Sequence, residues 1–122
     1  MLAGVRQRFV INAVLPGFNE LRGMNPFAYN KCKQRWGGVV KLSAQAAGIQ
    51  PVTTPTRFSF HFLEPHARRD PDGIAAGALK ITLDALTRAG FIPDDSQKWV
   101  SSIQLTWEVS KTPGVMITME SE

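Results

Sequence analysis

The chain has 122 residues and a mass of 13.5 kDa, enough for one domain, residues 1–122, that folds without disulfide or metal staples. Apolar residues make up 43% and charged residues 20%, which excludes disordered, collagen-like and coiled-coil chains, and no apolar run nears the ~18 residues of a membrane helix. The single cysteine, Cys32, excludes an internal disulfide and a cysteine-held zinc. Residues 1–6 lack a signal-peptide stretch, so a cytoplasmic protein without a membrane partner is expected.

In chain order, Phe9-Val10-Ile11-Asn12-Ala13-Val14 predicts a β-strand ended by Pro16-Gly17. Asn25-Pro26 has the form of an N-cap followed by proline in the first helical turn, opening a helix over residues 26–47 that stops at Gly48. Gly37-Gly38 is a weak point where that helix is expected to break or bend. Residues 57–62 alternate with period two and put Phe58, Phe60 and Phe62 on one face of a strand. A second helix covers residues 74–89, with Gly90 as its stop. A strand over residues 100–110, the turn Lys111-Thr112-Pro113-Gly114 and a return strand over residues 115–119 form a predicted hairpin. The order β-α-β-α-β-β, with two main helices, predicts a single α+β domain with a mixed sheet.

The net charge of +4 is unevenly spread. Residues 1–63 hold eight basic residues and only Glu20 as an acid, net +7; residues 64–122 hold six basic and nine acidic residues, net −3. Such a division fits a polyanion partner beside a separate carboxylate-rich site. The plainer reading makes Lys31, Lys33, Arg35 and Lys41 one solvated helix face. In Asp70-Pro71-Asp72 two carboxylates straddle a proline. Closely placed carboxylates repel unless a cation compensates them, and Mg²⁺ prefers such oxygen ligands. Pro93-Asp94-Asp95 offers a third ligand, and Lys80 leans toward the helix N-terminus past Ala76 and Gly77. The competing reading makes Asp70 and Asp72 helix-start residues, Asp94-Asp95 a turn, and Lys80 the surface partner of Asp84. His61 and His66 lack partners at zinc-ligand spacing, and Trp36, Trp99 and Trp107 read as core or interface residues.

Arg68-Arg69-Asp70-Pro71-Asp72, Lys80-Ile81-Thr82-Leu83-Asp84-Ala85-Leu86 and Ala89-Gly90-Phe91-Ile92-Pro93-Asp94-Asp95, followed by Lys98-Trp99-Val100, resemble the RusA family of Holliday-junction resolvases in its phage and prophage form. Leu15-Pro16-Gly17-Phe18-Asn19-Glu20 resembles the family's motif after the first strand more weakly. The resemblance implies a homodimeric α+β endodeoxyribonuclease that binds four-way DNA junctions and nicks paired strands with Mg²⁺, Mn²⁺ serving as a substitute. It implies Asp70, Asp72 and Asp95 as metal ligands and Lys80 as the essential lysine. Lys31, Lys33, Arg35, Arg68 and Arg69 are then the expected DNA contacts. Gly73 departs from the asparagine common in the family. A continuous helix over residues 74–89 barely lets Asp95 return to Asp72. The expectation is therefore a helix that starts late, near Gly77, the alternative being an Asp95 borrowed within the dimer.

Overall fold

A computed structural model describes residues 5–122. It contains strands β1 (Arg6–Ile11), β2 (Thr56–Glu64), β3 (Val100–Val109) and β4 (Gly114–Ser121), and helices α1 (Phe18–Leu21), α2 (Pro26–Ala46) and α3 (Pro71–Arg88). The domain is α+β with one mixed four-stranded sheet, and α1 adds a single turn to the two main helices. No helix among the described residues is long and apolar enough to cross a membrane.

Strand order in the sheet is β1-β4-β2-β3. β4 runs antiparallel to both β1 and β2, while β2 and β3 are parallel and joined by α3. The predicted hairpin is therefore corrected: β3 and β4 follow each other in sequence but do not pair, because β4 slots in beyond β2. Their compositions account for this. Every second residue of β4 is buried, Val115, Ile117 and Met119, which suits a central strand. β3 carries Ser101, Ser102, Gln104, Thr106 and Glu108, all exposed, which suits an edge.

The buried apolar side chains of the strands face one way. Phe9 and Ile11, Ile117 and Met119, and the stacked Phe58, Phe60 and Phe62 build the core with Val40, Ala44, Ile74, Ala78, Ile81 and Leu86 of the two long helices. The opposite sheet face is polar. There His61 Nδ1 lies 2.6 Å from Thr106 Oγ1 and its Nε2 lies 2.7 Å from Glu108 Oε1.

Three further expectations change. The first strand is Arg6–Ile11, so Asn12, Ala13 and Val14 belong to the following loop. α2 runs unbroken through Gly37-Gly38, with Asn25 capping Ala28 N–H at 2.8 Å and Gly48 taking a left-handed φ of 73° after its end. α3 starts at Pro71, not near Gly77. Gly77 serves packing. A Cβ on Gly77 would lie 2.3 Å from the carbonyl oxygen of Pro16 and 2.8 Å from the Gly17 backbone. Only glycine lets the loop after β1 lie this close to the helix.

This contrast yields a first test. Gly77→Ala should destabilise the fold by about 1–3 kcal/mol, because backbone must move to admit the methyl group. Gly38→Ala meets nothing within 4 Å and should stabilise the fold by up to about 1 kcal/mol through helix propensity. Urea midpoints of the two variants moving in the same direction would contradict this account.

Candidate active site

The head of α3 is assembled by one buried ion pair. Glu64, at the end of β2, is 5% exposed. Arg69 Nε and Nη2 donate to its two carboxylate oxygens at 2.9 and 3.1 Å. Arg69 Nη1 donates to Leu15 O at 3.1 Å and to Glu20 Oε1 at 3.0 Å. Hydrogen bonding to Glu64, with its charge and that of Glu20, holds the guanidinium above its usual range against the opposing effect of burial. One side chain thus ties the β2 terminus, the loop after β1 and α1 to the residue preceding Asp70. Arg69 is consumed inside the fold. Its neighbour Arg68 is exposed and remains open to a DNA contact.

Asp70 occupies the N-cap position of α3, yet its side chain makes no cap hydrogen bond, unlike Asn25 on α2. Asp72 lies in the first turn, and both residues are exposed. Neither carboxylate has a hydrogen-bond or ion-pair partner among the described residues, although two arginines precede them. Beside Asp70 opens a cavity of about 160 Å³ lined by Gly17, Phe18, Asn19, Glu20, Arg68, Arg69, Gly73 and Ile74. The segments 15–20 and 68–72, far apart in sequence, therefore meet around one polar hollow.

Lys80 follows Asp72 by two i+4 steps, about 12 Å along the helix axis, with the exposed Ala76 between them. Its side chain leans toward the helix N-terminus. The alternative pairing with Asp84 is absent, because Asp84 Oδ2 receives Lys33 Nζ at 3.3 Å and Arg88 Nε at 3.4 Å. Lys80 instead borders a cavity of about 270 Å³ with Phe18, Leu21, Arg22, Tyr29, Ala76 and Gly77.

Asp95 is not brought to this place. The chain leaving α3 is pinned by Phe91 N–H to Leu86 O at 2.9 Å and by Val52 N–H to Phe91 O at 2.9 Å. Val100 N–H then bonds Ser96 O at 2.9 Å, and Thr56 N–H bonds Trp99 O at 2.9 Å. Asp95 therefore sits where β2 and β3 begin, whereas Asp70 and Asp72 sit where β2 ends. The 18 residues of α3 span about 27 Å between these ends. Among the described residues no three His, Cys, Asp or Glu side chains are grouped to hold a metal ion. Asp94 forms a turn: its carboxylate accepts from Ser96 N–H at 2.8 Å, and the Ser96 hydroxyl and N–H hold its pKa below the usual range.

Of the remaining basic residues, Lys33 packs over Tyr29 and pairs with Asp84, so it is largely used within the fold. Lys31 and Arg35 are exposed on the free side of α2, over the rings of Phe27 and Trp36 at 6.0 and 5.6 Å. Sequence reasoning did not single out Glu64. It is the lone buried carboxylate of the chain's longest phenylalanine-rich strand, and the only trace of its role is Arg69 five residues on. No protein-family profile matches this chain, and no curated protein matches it.

Proposed function

We propose that the chain is a Mg²⁺-dependent, structure-selective endodeoxyribonuclease that resolves four-way DNA junctions by paired nicks, acting as a homodimer. The observation that carries this reading is the pair of unpartnered carboxylates, Asp70 and Asp72, held at the head of α3 beside a hollow built from both segments of the family resemblance. Their donor atoms are the hard oxygens that Mg²⁺ or Mn²⁺ takes, and such ions usually use one or two carboxylates together with water and substrate phosphate. When bound, a metal there would polarise the scissile phosphate and lower the pKa of attacking water.

The chain's own residues supply the rest. Asp70 and Asp72 provide two ligands, and the third comes from the partner subunit's Asp95, since the distance within one chain separates it from them. Lys80, free of Asp84, faces the phosphate and stabilises its developing charge. Lys31, Arg35 and Arg68 contact the DNA backbone, which positions the junction without reading sequence. A two-fold dimer then presents two such sites to two strands of a symmetric junction.

A synthetic four-way junction incubated with and without Mg²⁺ tests the reading. Nicking is expected only with the metal, and Asp72→Asn should bind the junction without cutting it. Lys80→Ala should slow single-turnover nicking on the order of 100-fold, while Asp84→Ala leaves the rate near parental, because Asp84 serves Lys33 and Arg88. Equal rates for Lys80→Ala and the parent would remove Lys80 from the site. A second reading, junction binding without cleavage, is favoured by Gly73, which supplies no side-chain amide after Asp72 where the resembled family commonly has asparagine. It predicts binding that weakens steeply with salt and no nick under any metal.

A further inference from the structure

A hollow of about 220 Å³ lies between the two long helices and takes no part in the candidate site. Its walls are cationic. Lys33 Nζ and Arg88 Nε share one carboxylate, Asp84 Oδ2, at 3.3 and 3.4 Å. Lys41, two helical turns after Lys33 on the same stripe of α2, lines the hollow with no ion-pair partner among the described residues. Three cations against one acid leave a charge of +2. The floor between them is bare: Gly37 and Gly38 of α2 face Ala85 of α3. Packing does not require these glycines. A Cβ on Gly37 would rest in ordinary contact, 3.7 Å from Ala85 Cβ, and one on Gly38 would meet nothing within 4 Å. Conformation does not require them either, since neither has a positive φ. Two adjacent glycines nevertheless weaken the interior of a helix that runs unbroken through them. What they do provide is room over the backbone, at the place where the cations converge.

We propose that this hollow binds a nucleoside monophosphate, its phosphate held by Lys41 and Arg88 and its base lying flat on the floor of Gly37, Gly38 and Ala85. Three features select this ligand. The uncompensated charge of +2 matches the roughly two negative charges of a phosphate monoester at neutral pH. A guanidinium fork beside a lysine is a usual pair of phosphate donors, and the Arg88 side chain is 70% exposed, with one contact to Asp84. Next to the charge the lining is apolar, Ile81, Ala85 and Ala89 with the glycine backbone, which suits a flat ring and offers nothing to a bare anion. At the rim, Gln34 carries a side-chain amide that can donate to and accept from a base edge. The volume lies below the roughly 300–1,000 Å³ of sites for drug-sized ligands, so one small nucleotide is the largest occupant expected. The proposal does not rest on the nuclease reading. Arg88 is about 24 Å along the axis of α3 from Asp72, and none of Asp70, Asp72, Lys80 or Asp95 lines the hollow.

Titration of the whole chain with AMP, followed through backbone amide resonances, tests the site without measuring cleavage. The amides of Gly37, Gly38 and Ala85 should shift and saturate, and the unfolding temperature should rise with AMP concentration. Lys41→Ala and Arg88→Ala should each weaken binding roughly 10- to 100-fold, the loss of a charge-assisted hydrogen bond. Adenosine should bind roughly 10-fold or more weakly for lack of the phosphate, and inorganic phosphate should lose a similar factor for lack of the base. Gly38→Leu is the most telling variant. Its side chain enters open space and favours the helix, so it should unfold no earlier than the parent, yet it fills the hollow and should abolish AMP binding. Glycine amides that stay unmoved at millimolar AMP, or AMP binding that survives Gly38→Leu, overturn the proposal. Inorganic phosphate that binds as tightly as AMP overturns it as well, since the floor then recognises no base.

Discussion

Mixing the Asp70→Asn and Asp95→Asn variants should restore junction nicking that neither shows alone. If a site takes Asp70 and Asp72 from one chain and Asp95 from the other, each pure variant carries two damaged sites. In the mixed dimer both lesions fall in the same site, and the second site is intact. Random exchange makes half of the dimers mixed, each with one working site, so about a quarter of the parental sites return. Refolding the two variants together and measuring single-turnover nicking decides the matter. A site completed within one chain gives no recovery at any mixing ratio. The intact sites are one per dimer, so the recovered activity should cut one strand of a junction and leave its symmetric partner whole.

Arg69→Ala should cost about 3–5 kcal/mol of stability, as removal of one partner from a buried ion pair does. The loss has identifiable parts. Glu64, 5% exposed, keeps its charge without the bidentate guanidinium, and the Leu15 carbonyl and Glu20 lose their donor. Urea denaturation measures it. Glu64→Leu combined with Arg69→Ala should recover part of the loss, because the stranded charge is then gone. Arg68→Ala, one residue earlier and exposed, should stay within about 0.5 kcal/mol of the parent. A similar small effect for Arg69→Ala would mean that Asp70 is positioned by α3 alone.

These adjacent arginines show what a sequence can and cannot convey about the site. The pair was legible as basic, but which member turns inward depends on Glu64 and the loop after β1. Those contacts exist only once the sheet is formed. The elements themselves were legible from local physics: the cap Asn25, the stops at Gly48 and Gly90, and the alternating phenylalanines. The hairpin was misread because a four-residue link between two strands implies pairing unless a third strand claims the position between them. That claim is made by burial, through Val115, Ile117 and Met119. The late start of α3 was misread because helix propensity counts Gly73 and Gly77 as defects, whereas Gly77 is required by the backbone of Pro16 and Gly17. In the candidate site, the carboxylate pair was visible as a spacing. The separation of Asp95 became certain only with the length of α3.

The placement of β4 bears on how the chain acquires its structure. β4 follows every other strand in sequence and lies between β1 and β2, pairing Arg6 with Glu120 and Arg57 with the same residue. During synthesis, β1 has no strand to pair with until residues 114–121 have left the ribosome. The β2–α3–β3 unit can assemble earlier, from contacts closer in sequence. Closing the sheet then requires pairing across more than a hundred residues, which is slow compared with local contacts. Nascent chains that stall before β4 would leave β1 without a strand to pair with and one edge of β2 open, so closing the native sheet waits on a late, single insertion.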